Sequence, residues 1–177
     1  MNLGIESETV EFKKSTGELK EGIISISSML NKNDKAILYF GVLNDGNIIG
    51  QDVNEQTLRR ISREIADKII PKITPTITLL NANNKTYIKV EVEGKDKPYS
   101  AYGRYYIRSF DEDRNLEQHQ LFDMLMNYFA YCIPCPGISM HSILQRLLHQ
   151  MFRLLRMLLK HKLHLPHHRL FLLLRLH

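Results

Sequence analysis

The stretch from Ala36 to Leu43, AILYFGVL, runs for eight residues without a charge or a side-chain amide. An unbroken apolar run of that length predicts a central strand buried on both faces, and such a strand needs packing material above and below it. Asn44-Asp45-Gly46 follows with turn chemistry, and Asn47 to Gly50 reads as a short strand returning against the first. A hairpin is the simplest prediction.

The neighbouring patterns supply the covering layers. A short strand is predicted over Thr9 to Lys13, then a helix from Thr16 or Gly17 to about Leu30, capped by Ser15 or Thr16 and striped by Ile23, Ile24, Ile26, Met29 and Leu30. A second helix is predicted from Asn54 to Ile70, with Leu58, Ile61, Ile65 and Ile69 on one side and Arg59, Arg60, Arg63, Glu64 and Lys68 largely on the other, stopped by Pro71. Alternating segments at Ile73–Leu80, Thr86–Glu93 and Tyr105–Ser109 read as strands, and a last helix spans about Asn115 to Tyr128. The order β-α-β-β-α-β-β-β-α predicts a mixed α/β fold, in which a mixed sheet is covered by helices.

Charge divides the chain. Up to Ala130 there are 17 Lys plus Arg against all 19 Asp plus Glu, a net charge of −2, while the remaining 47 residues carry seven basic residues and no acid. The overall +5 therefore belongs to the tail and does not make the folded part basic. We expect a domain over residues 1–130 and an atypical Leu/His/Arg-rich basic tail over 131–177, helical from about Ser139 to Arg156. A membrane-surface helix, a natural appendage, a truncation scar and an out-of-frame translation all fit that tail. No window is apolar enough to be a transmembrane segment. The acidic opening MNLGIESETVEFKK fits neither an export signal nor a myristoylation site, and the only cysteines, Cys132 and Cys135, cannot frame the domain with disulfides. A cytoplasmic location is the expectation. The C-x-x-C pair with His141 and His149 downstream lacks a second well-placed pair for zinc. The histidines at 161, 164, 167 and 168 could capture added nickel or copper without that being a function.

Several blocks resemble one family. Glu6-Ser-Glu-Thr-Val-Glu-Phe-Lys13 is similar to the opening E-S-x-x-V-E-F-K signature of the Schlafen AlbA-like domain, and the resemblance continues through LYFGVLNDGNIIGQ (Leu38–Gln51), the helix ending at Ile-Ile-Pro71, and KPYSAYGRYYIRS (Lys97–Ser109). It covers about 120 residues. The chain departs from the family where an A-x-x-N-T-x-G-G turn is usual, reading SMLNKNDKA from Ser28 to Ala36, and again after Arg108, where Ser109-Phe110-Asp111 replaces a common Gly-Ser pair. Losing a glycine pair argues against phosphate cradling at the first turn.

The resemblance implies site residues. Glu6, Glu11 and Asp45 match three acidic positions of Schlafen-type ribonucleases, where clustered carboxylates could hold Mg or Mn to polarise a phosphodiester. Read without the family, Glu6 and Glu11 are residues flanking a strand and Asp45 is a turn former. Lys13, Lys14, Lys97, Arg104 and Arg108 are candidate phosphate contacts, interleaved with Tyr99, Tyr102, Tyr105 and Tyr106 as candidate stacking platforms. The plainer alternative packs those tyrosines under the sheet and leaves the cations as a solvated rim. Arg59, Arg60 and Arg63 read chiefly as a solvated helix face. No phosphate-binding or dinucleotide-binding glycine motif is present, so ATP binding is implied only by the labels of relatives.

The leading expectation is a nucleic-acid-binding module of a bacterial transcriptional regulator, with DNA or RNA as partner and no certain cofactor. A divalent-metal-dependent endoribonuclease is the alternative, and a protein-interaction or oligomerisation module, such as a homo-oligomer, is the third.

Overall fold

The computed structural model describes residues 2–132 together with His149. Strand β1 spans Val10–Lys13, helix α1 Leu19–Asn33, strand β2 Lys35–Phe40 and helix α2 Glu55–Lys68. Strands β3 (Ile69–Ile70), β4 (Thr76–Ala82), β5 (Lys85–Glu93), β6 (Ser100–Ala101), β7 (Arg104–Ser109) and β8 (Glu112–Asn115) follow, and α3 covers Gln118–Cys132. The chain divides between Met126 and Asn127, and every strand lies in the first unit. Cys135, the other tail histidines and the helix expected from Ser139 to Arg156 lie outside the described residues, His149 excepted.

The strands form two sheets among the described residues, where one was expected. The first has the order β1-β2-β5-β4 and is mixed, with β1 parallel to β2 and the other pairs antiparallel. The second, β3-β6-β7-β8, is antiparallel throughout. Helix α1 packs against β2 of the first sheet and β7 of the second. Its sequence is suited to both neighbours. Ile23, Ile26, Met29 and Leu30 join Leu38, Phe40, Ile88 and Val90 in the main core. Gly22 lets the helix sit close to β2, since a Cβ there would lie 2.7 Å from Cδ2 of Leu38.

The other contacts of α1 are polar and buried. Asn31 Nδ2 donates to the carbonyls of Tyr99 (2.8 Å) and Tyr106 (2.7 Å), and its Oδ1 accepts from the Tyr99 backbone N–H at 2.6 Å. Ser27 Oγ donates to the Tyr99 carbonyl as well. One amide therefore makes three hydrogen bonds to backbone groups of the second sheet and its approach, and it shares the Tyr99 carbonyl with Ser27.

Local chemistry explains the boundaries. Ser15 caps a 3-10 turn over Thr16–Glu18, so the regular helix begins at Leu19, three residues later than Thr16. Its C-terminus closes without the family's glycines, because Asp34 adopts the left-handed conformation (φ 60°), which Asp tolerates better than most residues. Asn54 caps α2. That helix stops at Lys68 rather than Ile70, because Ile69 and Ile70 turn extended and pair with Ala101 and Ser100. Extended backbone is what a following proline favours. The expected hairpin after β2 closes through a single bridge, Val42 to Ile48. Gly46 (φ +80°) is held there by the N-terminal segment, whose Gly4 carbonyl would lie 2.0 Å from any Cβ.

Strand β2 is fully buried on one face only: Ala36, Leu38 and Phe40 are inaccessible, whereas Ile37 and Tyr39 on the other face are half-buried. A smaller cluster of Phe12, Val42, Ile48 and Tyr87 covers that second face in part. Strand β8 was not expected, because EDRN has little strand propensity, and the last helix accordingly begins at Gln118 instead of Asn115.

Replacing Asn31 with Ala should cost roughly 3 kcal/mol of stability, since its three hydrogen bonds to the backbone of Tyr99 and Tyr106 are lost together. Urea unfolding followed by circular dichroism measures this; a loss below about 1 kcal/mol would mean that the amide does not tie the helix to the second sheet.

Candidate nucleic-acid interface

The three candidate acids do not form a metal-holding group among the described residues, although the Glu6 and Glu11 charges act on one another. Glu11, on the α1 side of β1, is 5% exposed. One of its carboxylate oxygens pairs with Lys13, and the other accepts from Arg108 Nη2 at 2.5 Å. Arg108, on β7, also reaches Asp113 Oδ1 at 2.9 Å and the Ser7 carbonyl at 3.3 Å, and Asp113 in turn accepts from Ser25 Oγ of α1 at 2.6 Å. Burial disfavours the guanidinium's charge, but Glu11 and Asp113 outweigh it and hold the Arg108 pKa above its usual value. Glu6 Oε1 accepts from the Phe12 backbone N–H at 2.9 Å. Its pKa is raised, first by burial, which exceeds the opposing effect of that hydrogen bond, and further by the Glu11 charge.

Asp45 lies elsewhere, in the turn after β2. Its two carboxylate oxygens accept from the backbone N–H and side-chain amide of Asn47, at 3.0 and 2.8 Å. Among the described residues no group of three or more His, Cys, Asp or Glu side chains is arranged to hold a metal ion. The expected Mg or Mn site therefore does not fit this arrangement: Glu11 already faces two cations, and Asp45 acts as a turn former.

The basic and aromatic stretch from Lys97 to Arg108 also separates. Tyr99 is 1% exposed, with its backbone held by Asn31 and its hydroxyl accepting from Asp96 N–H, so it cannot stack a base from this position. Arg108 is equally buried and cannot reach a phosphate. Both are corrections to the sequence expectation, and both arise because alternate residues of this stretch face α1. Lys97 is committed to Asp34 (2.5 Å) at the far end of α1, and Lys13 to Glu11. Tyr105 and Tyr106 are half-buried. Lys14 remains exposed, as does Arg104.

What remains gathers at the turn between β6 and β7. Tyr102 (φ 50°) and Gly103 (φ 75°) form a two-residue loop with both central residues in the left-handed region, the geometry that suits a tight hairpin. The half-buried Tyr102 packs against the main core and is thereby held in place. Lys20, in the first turn of α1, carries its ammonium 5.8 Å from the Tyr102 ring centroid. Burial chiefly raises the Tyr102 hydroxyl pKa, with Glu64 and Glu21 adding to the rise and Arg60 opposing it. Those influences put α2 beside the same ring. Lys20, Arg60 and Arg104 are all exposed, and none of them enters an ion pair among the described residues. Sequence reasoning had passed over Lys20 and assigned Arg60 to a solvated face. Nothing local announces either, since their proximity to Tyr102 depends on how the second sheet returns across α1.

Two outcomes follow from the acid cluster. Arg108→Met should lower stability by about 3–5 kcal/mol in urea unfolding, because the buried Glu11 carboxylate and the half-buried Asp113 lose their shared cation; a change under about 1 kcal/mol would contradict the ion-pair assignment. For Glu6, a raised folded-state pKa means that its contribution to stability is present at low pH and lost as pH rises through that value. Glu6→Gln should therefore raise Tm at neutral pH, with the gain vanishing below the ordinary glutamate value of 4.5. A gain that persists into acid would contradict this origin.

The DIP2311 protein from Corynebacterium diphtheriae superposes with a TM-score of 0.54 at 14% identity, over 66% of this chain and 23% of that one, which supports the fold alone. This chain thus spans under a quarter of that protein's length. The N-terminal domain of an ATP-dependent DNA helicase RecG-related protein from Nitrosomonas europaea matches at 20% identity over 64% of this chain and 88% of that domain, with a TM-score of 0.41. No curated protein matches the chain. The family described as Schlafen, AlbA_2, a nucleic-acid-related domain, matches residues 6–117, and with that match covering well over half of its length the chain belongs to the Schlafen AlbA_2 family.

Proposed function

We propose that the domain is a nucleic-acid-binding module of a bacterial regulator, acting in the cytoplasm, and that it grips single-stranded DNA or RNA at the β6–β7 turn. The observation that carries this reading is the β6–β7 turn itself, where Lys20 carries its ammonium 5.8 Å from the Tyr102 ring and Arg104 is exposed two residues further on, with Arg60 of α2 acting on the Tyr102 hydroxyl beside the acids Glu64 and Glu21. With a net charge near −2 up to Ala130, the domain offers no general attraction to a polyanion, so any affinity has to come from a local patch. Cations free of carboxylate partners can neutralise phosphates, and a tyrosine seated on a rigid turn offers a face on which a base can stack. No helix among the described residues is long and apolar enough to cross a membrane.

Recognition suits the acid cluster better than hydrolysis does. Glu11 acts as the counter-charge of Arg108 and Lys13, tying β1 to β7, and is unavailable to organise a scissile phosphate. Lys14 is exposed near the start of α1 and extends the reading towards β1, whereas Tyr99 and Arg108 serve the interior.

Fluorescence anisotropy with labelled single-stranded DNA and RNA tests the proposal. Lys20→Ala, Arg60→Ala and Arg104→Ala should each weaken binding and flatten the plot of log affinity against log salt by about 0.7. Tyr102→Ala should lose about 1–3 kcal/mol with the slope unchanged. Affinity indifferent to all four changes would remove the turn as the interface, and cleavage of the oligonucleotide that requires Mg or Mn would favour the ribonuclease.

A further inference from the structure

Two sheets present four edges among the described residues, and three of them are guarded. Strand β1 is four residues long and turns charged Glu11 and Lys13 inward. Strand β8 reads EDRN and carries the Arg114–Glu112 ion pair. Strand β3 has two residues and runs straight into Pro71. Short length, inward charge, surface charge and proline are the devices by which proteins stop an edge from recruiting another strand.

The fourth edge has none of them along its length, although Pro75 immediately precedes it. Strand β4, TITLLNA, is seven residues long, and no charged residue or proline lies within it; Lys72 and Lys85 fall outside its two ends. Among the described residues it pairs with β5 alone. The apolar row that crosses the sheet also ends there unfinished. Phe40 faces Ile88, which faces Leu79, and the exposures along that row are 0%, 0% and 43%.

We infer that β4 is a self-association edge, to which a second copy of this chain adds its own β4 in antiparallel pairing. The occupant follows from the chemistry of the strand. In a two-fold pairing each residue meets its symmetry mate or a close neighbour, so a charge near the axis would face its own kind. TITLLNA has none to oppose. A two-fold axis perpendicular to the sheet near Leu79 keeps both copies' Leu79 on the same face, and the row Phe40–Ile88–Leu79 continues into Leu79, Ile88 and Phe40 of the second copy. The product is one sheet of eight strands with β1 at both outer edges. A joint of this kind buries little area, so the association belongs in the micromolar range.

Sedimentation equilibrium of the full chain from about 1 to 200 µM, repeated with Leu79→Lys, tests it. The expected result is a reversible monomer–dimer equilibrium that weakens at least tenfold in the variant, while its far-UV spectrum and Tm stay close to wild type. Hydrogen exchange on the unmodified chain gives a second reading, with amides of residues 76–82 gaining protection as concentration rises. A chain that stays monomeric across this range, a dimer untouched by Leu79→Lys, or protection that grows elsewhere and not in β4 would overturn the inference.

Discussion

The carboxamide of Asn31 is the joint on which this fold turns. Helix α1 lies between two sheets, and a helix with two buried sides cannot be apolar on both if one of them meets unpaired backbone. Here the apolar side packs on β2, and the polar side gives Ser25, Ser27 and Asn31 to the second sheet. Hydrogen bonds in that position specify register as well as adding stability, because any shift of β7 along the helix would strand the groups that Asn31 now satisfies.

A second polar tie runs alongside. Arg108 reaches from β7 to Glu11 on β1 and to Asp113 on β8, and Asp113 returns to Ser25 on α1. Residues that head the family signature thereby join the first sheet to the second. Carboxylates held in this way trade reactivity for position: Glu11 is a counter-ion before it can be a ligand. With the interior so committed, the proposed contact with nucleic acid falls to the turn where β6 passes into β7, beside the first turn of α1 and the flank of α2.

Much of this architecture was legible in the sequence. The β2 run, the cap at Ser15, the start of the second helix near Asn54 and the strand character of β5 and β7 are local signals, set by periodicity and capping chemistry, and the E-S-x-x-V-E-F-K block pointed to the family. The division into two sheets was not legible, because it depends on two-residue strands at Ile69–Ile70 and Ser100–Ala101 that carry no periodicity of their own. The same limit applies to the site. Tyr99, Tyr102, Arg104 and Arg108 look equivalent along the chain, yet Tyr99 and Arg108 point inward while Tyr102 and Arg104 lie at the turn. Glu6, Glu11 and Asp45 satisfied a motif by order, but order does not convey that a guanidinium lies against one of them and an asparagine amide against another.

The central claim is that nucleic acid meets the domain at the β6–β7 turn, and backbone amide NMR during titration with a short single-stranded oligonucleotide examines it without mutation. The account predicts that shifts concentrate on residues around Lys20, Arg60 and Tyr102 to Arg104, leaving Asp45 and β4 unmoved. Shifts centred on Glu6, Glu11 and Asp45, with the turn silent, would contradict it.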